Sequence, residues 1–158
     1  MLAKPIDQIQ FEDVDQFCRT GAREGLLLDY KADFPARLDK AIAAFANTYG
    51  GHILVGVGEQ ATGEAQLPVQ GVALVAGLRE RVVSTALQAI YPPVYPETRV
   101  IEFASPGTPA GTNDRAVVVV RVHESDGPAH SINRGTDVYL RVDNVTDPYR
   151  RATVEEIE

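Results

Sequence analysis

Apolar positions recur along this chain with two different periods, and the places where the period changes mark its elements. Phe11, Val14, Phe17 and Cys18 fall at helical spacing among Glu12, Asp13, Asp15 and Gln16, which predicts an amphipathic helix over residues 11–20, stopped by Gly21. From Leu26 to Lys31 the period drops to two. Leu26, Leu28 and Tyr30 share one face of a strand, and Leu27, Asp29 and Lys31 share the other. Asp33-Phe34-Pro35 then reads as a helix start, with Asp33 as the cap and Pro35 in the first turn. The helix that follows carries Leu38, Ile42, Phe45, Ala46 and Tyr49 on one stripe. It ends at Gly50-Gly51, because glycine accepts the left-handed conformation of a C-cap. His52 to Val57 is an unbroken apolar run, which predicts a strand buried on both faces at the centre of a sheet.

Gly58 to Gly71 reads as a polar loop. Leu78, Val82, Ala86 and Ile90 predict a third helix halted by Pro92-Pro93. Thr98–Phe103 and Ala116–Val122 predict a hairpin whose long tip, Ser105 to Asp114, is rich in glycine and proline. Asp137–Val142 predicts a last strand, and Thr153-Val-Glu-Glu156 a capping box opening a short final helix. The order α, β, α, β, α, β, β, β predicts an α+β fold, a mixed central sheet with flanking helices. The 158 residues suit one domain spanning 1–158, and the truncated last helix suits the N-terminal part of a longer protein as well.

Composition narrows the chemistry. At 44% hydrophobic the chain can bury a core, and its formal charge of −7 excludes a surface that is a phosphate-binding field throughout. Any contact with nucleic acid needs a local basic face. The lone cysteine, Cys18, excludes an intrachain disulfide and lies on the apolar side of its helix, which suits packing. No run approaches the roughly 20 apolar residues of a membrane helix, and no signal peptide opens the chain, so a soluble cytoplasmic protein without membrane contact is expected. His52, His123 and His130 lack the spacing of a zinc site, and His52, opening a buried strand, is expected to be structural. Gly50-Gly51 closes a helix where a dinucleotide fingerprint would open one, and no Gly-Lys-Ser/Thr follows, so ATP or NAD binding is not expected.

Two strings carry a resemblance. Glu24-Gly-Leu-Leu-Leu-Asp29-Tyr-Lys31 precedes Ala43-Ala-Phe-Ala-Asn-Thr-Tyr-Gly-Gly-His-Ile-Leu-Val-Gly-Val57, and Val138-Tyr-Leu-Arg-Val-Asp-Asn-Val-Thr146 precedes Ala152-Thr-Val-Glu-Glu-Ile157. Together they resemble the Schlafen AlbA-type family over roughly residues 10–157. Members of that family carry an acidic residue, a strand ending Glu-Phe-Lys, a helix ending Ala-Phe-Ala-Asn-Thr-x-Gly-Gly, an Ile-Gly-Val strand, and a late Tyr-Ile-Arg-x-Gly-Ser-x-Thr. The chain departs from this pattern at Asp29, which replaces a glutamate, and at Asp143-Asn144, which replaces Gly-Ser. It departs again after Val57, where Gly-Glu-Gln replaces a run of aspartates.

The resemblance implies a nucleic-acid (DNA)-binding domain, such as a module of a bacterial transcriptional regulator. It also implies a homodimer, since a single lobe could pair with itself to imitate the two-lobed horseshoe of Schlafen proteins. Lys31, Arg37, Lys40, Arg134, Arg141 and Thr146 are the expected nucleic-acid contacts, with Arg150 and Arg151 adding charge nearby. Two rival functions stand beside this one. The first is a metal-dependent endoribonuclease, with Glu24, Asp29 and Glu59 as catalytic carboxylates and Glu24 and Asp29 holding Mg²⁺ or Mn²⁺. If the two strands are parallel neighbours, Asp29 and Glu59 share one edge of the sheet; Glu24 joins them only if the strand bends at Gly25. Otherwise Asp29 pairs with Lys31 or an arginine. The second rival is a protein-interaction module that binds no nucleic acid. The aspartate at position 29 favours binding over catalysis, with no cofactor.

Overall fold

A computed structural model describes residues 1–132, 137–142 and 145–146. Arg134, Asp143-Asn144, Arg150, Arg151 and the expected helix at Thr153–Glu156 lie outside the described residues. In chain order the elements are α1 (Phe11–Arg19), β1 (Leu28–Lys31), α2 (Leu38–Ala46), β2 (Gly51–Val55), β3 (Val72–Ala73), α3 (Leu78–Gln88), β4 (Glu97–Phe103) and β5 (Arg115–Val122). Four short strands follow: β6 (Ser131–Ile132), β7 (Asp137–Val138), β8 (Arg141–Val142) and β9 (Val145–Thr146). The α+β class with a mixed central sheet of five strands and flanking helices is as the sequence predicts.

The valine run of β5 sets the layers. Ala116, Val118, Val120 and Val122 enter one core with α2 and α3, while Val117 and Val119 enter a second core with α1. β2 divides the same way, with Ile53 and Val55 on the first side and Leu54 on the second. Strands apolar on both faces need a helical layer on each, which is what the three helices supply. β2 runs parallel to β1 and antiparallel to β5, so the expected central strand and its parallel neighbour are both present. On β5, β3 follows β2 along one edge and β4 takes the other, closing the expected hairpin.

Several boundaries move, each for a local reason. β1 starts at Leu28, not Leu26, because the chain turns there: the Gly25 amide donates to the Leu28 carbonyl at 3.0 Å. α2 starts at Leu38 without a side-chain cap, so Asp33 does not cap it. Residues 33–37 run as a loop that sets Phe34 against the core, with the Arg81 guanidinium 4.5 Å from its ring centre. Tyr49 leaves the expected stripe and is 63% exposed, since the helix has ended at Ala46. Gly50 closes α2 as expected. Its φ is +73°, its amide donates to the Phe45 carbonyl at 2.8 Å, and a Cβ there would lie 2.6 Å from the Val122 carbonyl oxygen. The expected strand Asp137–Val142 is interrupted into β7 and β8, which pair with β6 and β9 instead of joining the central sheet. Among the described residues no helix is long and apolar enough to cross a membrane.

Candidate functional site

The parallel β1–α2–β2 unit brings the expected carboxylates to one corner. The turn at Gly25 lays Glu24 back along the free edge of β1, where its Oε1 accepts the Tyr30 amide at 2.7 Å. That amide faces away from β2 and would otherwise be an unpaired edge donor. Burial raises the Glu24 carboxyl to about 9, with the Glu59 and Asp29 side chains beside it adding to the rise. Burial therefore favours the neutral, protonated form of Glu24. Glu59, just beyond β2, is exposed.

Asp29 is 1% exposed and opposes Ile53 across β1 and β2. Its Oδ2 lies 3.2 Å from the Lys31 ammonium and 3.7 Å from Arg141 Nη1, yet makes no hydrogen bond. Both cations are near enough for charge attraction, but neither is aimed for a bond. A divalent cation fits this corner poorly. Asp29 is already compensated by two side-chain cations, and among the described residues no group of three His, Cys, Asp or Glu side chains could hold a metal ion. The expectation that Asp29 pairs with Lys31 or an arginine is met on both counts.

Arg141, expected to face nucleic acid, lies inside the protein and is 3% exposed. Its Nε donates to the Gly25 carbonyl at 3.1 Å and its Nη2 to the Leu28 carbonyl at 3.0 Å, so it braces the turn that positions Glu24. Its guanidinium sits 4.9 Å from the centre of the Phe45 ring. The end of α2 holds the segment that carries Arg141. Asn47 Nδ2 donates to the carbonyls of His130 at 2.8 Å and Tyr139 at 3.1 Å, and its Oδ1 accepts the His130 amide at 2.7 Å. The Arg141 amide donates to Thr48 Oγ1 at 3.0 Å. Asn47 and Thr48 stand in the family string quoted from the sequence, but sequence reasoning gave them no role; the polar pair directly after a buried helix was the available signal.

Of the other expected contacts, Lys31 is partly exposed at the end of β1. Arg37 is exposed and bonded to Asp39 at 3.1 and 3.2 Å. Lys40 stands 4.6 Å from the centre of the Tyr139 ring. Thr146 is placed by its backbone in β9. The remaining chemistry is structural. Arg121 Nε donates to His52 Nε2 at 2.8 Å, and burial with that neighbouring cation lowers His52 to about 4, as a neutral acceptor requires. Cys18 is buried, and burial raises its thiol to about 11.

These features define a class: an α+β domain whose parallel β1–α2–β2 unit, closed by Asn-Thr-x-Gly-Gly, gathers acidic and basic side chains at one edge of the sheet. The chain belongs to the Schlafen AlbA_2 family, whose model matches residues 24–150. In structure it is similar to the N-terminal domain of a RecG-related protein from Nitrosomonas europaea, with a TM-score of 0.54 and 17% identity over 92% of this chain and 88% of that one. It is also similar to the DIP2311 protein from Corynebacterium diphtheriae, with a TM-score of 0.53 and 18% identity over 87% of this chain but only 26% of that one. At such identities the likeness is one of fold. No curated protein matches the chain.

Proposed function

We propose that this domain binds nucleic acid, DNA in the first instance, through a basic edge formed by Lys31, Arg37 and Lys40, and serves as a regulatory module. The observation that carries the reading is the pairing of the corner's buried carboxylate. Asp29 lies 3.2 Å from Lys31 and 3.7 Å from Arg141, and burial favours the neutral form of Glu24 beside it, so the corner presents less negative charge than its three carboxylates suggest. A phosphate can then approach the partly exposed Lys31 ammonium without meeting an uncompensated anion. The name of the Nitrosomonas neighbour relates that protein to an ATP-dependent DNA helicase, which supports a nucleic-acid partner. A homodimer and a place in transcriptional control belong to the same reading.

Retention of labelled single- and double-stranded DNA and RNA, with and without Mn²⁺, tests it. Binding without cleavage, weakened by Lys31→Ala, is the expected result. Mn²⁺-dependent cleavage abolished by Asp29→Ala would replace it with the ribonuclease, and no retention at low salt would leave a protein-interaction module. Light scattering at rising concentration reads the dimer, and a monomer throughout would remove that part.

A further inference from the structure

One cavity has none of the three carboxylates in its wall. It measures about 650 Å³ and opens between α1 and the loops at the ends of β4 and β5. Phe11, at the start of α1, and Phe103, at the end of β4, both line it. Their rings stack with centroids 4.2 Å apart and planes 14° from parallel. Phe103 is buried and Phe11 only partly so, which makes Phe11 the ring available to a ligand.

Two arginines share the wall. Arg115 donates Nε to the Gln70 carbonyl at 3.0 Å and Nη2 to the Gly71 carbonyl at 2.9 Å, which fixes its guanidinium and leaves Nη1 without a partner among the described residues. Arg19 gives Nε to Asp15 at 3.0 Å, and its terminal nitrogens are likewise unbonded there. The two carboxylates of the wall are already engaged: Asp15 by Arg19, and Asp114 by the amide and hydroxyl of Ser105 at 2.8 and 2.5 Å. Each arginine therefore keeps N–H groups that can donate to a ligand anion, beside carboxylates that already accept from the protein.

A second hollow of about 170 Å³ shares Pro68, Gln70 and Arg115 with the first and extends past Gly56 and Gly58 to Ala32 and Asp33, the residues that follow Lys31. Sharing these residues, the two read as one trough that leads from the aromatic pair past Arg115, with Gly56, Gly58 and Gly71 in its wall, to Asp33 beside the basic edge. Its volume suits one nucleotide and excludes a duplex. Aromatic stacking beside guanidinium groups is how unpaired bases are held regardless of sequence.

We infer that the trough seats an unpaired nucleotide at the end of a single strand. The base stacks on Phe11, the phosphate meets Arg19 and Arg115, and the strand runs over the glycine backbone towards Lys31. The inference rests on the nucleic-acid reading and adds to it a preference for single-stranded ends.

Anisotropy titrations with single-stranded oligonucleotides test it, using wild type, Phe11→Leu, Arg19→Gln and Lys31→Ala, each checked for folding by thermal melting. A 2-aminopurine placed at the terminus or in the middle of the strand locates the seated base. Phe11→Leu and Arg19→Gln should each weaken binding about tenfold, and only the terminal 2-aminopurine should change its emission. If Phe11→Leu does not fold, Arg19→Gln decides, since Arg19 is a surface residue. Wild-type affinity in both variants, with Lys31→Ala still weakened, overturns the trough and leaves the nucleic-acid reading standing. No binding by wild type overturns both. Saturation by a free nucleoside monophosphate, with the strand binding no tighter, overturns the strand end in favour of a free nucleotide.

Discussion

Arg141→Ala separates a structural arginine from a phosphate contact. The side chain makes two charge-assisted bonds to backbone carbonyls, Gly25 at 3.1 Å and Leu28 at 3.0 Å, and lies 3.7 Å from the buried Asp29 carboxylate. Bonds to charged groups contribute about 1.5–3 kcal/mol each, and removing one partner of a buried ion pair costs about 3–5 kcal/mol. These terms overlap, because one truncation removes both. Lys31, 3.2 Å from the same Asp29 oxygen, stays in place and holds the loss towards the lower end. About 3–4 kcal/mol is expected, a large share of the roughly 5–15 kcal/mol that holds a domain together. In urea, with a slope of about 2 kcal/mol/M, the midpoint should fall by about 1.5–2 M. Asp29→Asn with Arg141→Met should recover part of that loss, since the buried charge is removed along with its partner. A midpoint within about 0.25 M of wild type for Arg141→Ala, the behaviour of an ordinary surface residue, would refute the burial argument and return Arg141 to the binding face.

Glu24 gives the fold a pH dependence of definite sign. Its folded value of about 9 lies above the ordinary 4.5, so the native state holds the extra proton between those values and stability falls as pH rises across that window. The slope is at most about 1.4 kcal/mol per pH unit, and partial exposure of the side chain reduces it. Melting temperatures measured from pH 7 to 9, above the window in which the lowered His52 acts with the opposite sign, should decline for wild type and flatten in Glu24→Gln, which keeps the acceptor for the Tyr30 amide; a wild-type rise over that range would contradict the assignment. Asn47→Asp should cost about 2–3 kcal/mol, because it turns a donor to two carbonyls into an acceptor facing them. Denaturant unfolding reads the loss, and hydrogen exchange at the His130 amide should stay slow, since Oδ1 remains to accept it.

The sequence shows the scaffold of the site more fully than the site itself. Ile53, Leu54 and Val55 read as a central strand because an apolar run covered on both faces has few other places in a sheet, and Gly50 reads as a cap because its conformation excludes most residues. Alternation also puts Asp29 on the face opposite Tyr30. It does not say what covers that face, and the cover is Arg141, which arrives from the far end of the chain. Tyr49 matches the helical stripe by spacing alone, but the helix ends three residues earlier. The break between β7 and β8 is similarly hidden, since at that break the Tyr139 carbonyl accepts from Asn47 at a helix end distant in sequence. The Phe11–Phe103 stack joins two elements whose meeting follows only from how α1 lies across the sheet.

The central claim is that Lys31, Arg37 and Lys40 form a phosphate-binding edge while Arg141 supports it from within. The most direct test is the salt dependence of DNA binding for wild type and the Lys31→Ala, Arg37→Ala, Lys40→Ala triple variant. Each cation removed from a phosphate should reduce the slope of log affinity against log salt by about 0.7–0.9. The triple variant should therefore have a slope shallower by about 2.1–2.7 units and bind more weakly at every salt concentration. A slope equal to wild type, in a variant that melts normally, would contradict the account.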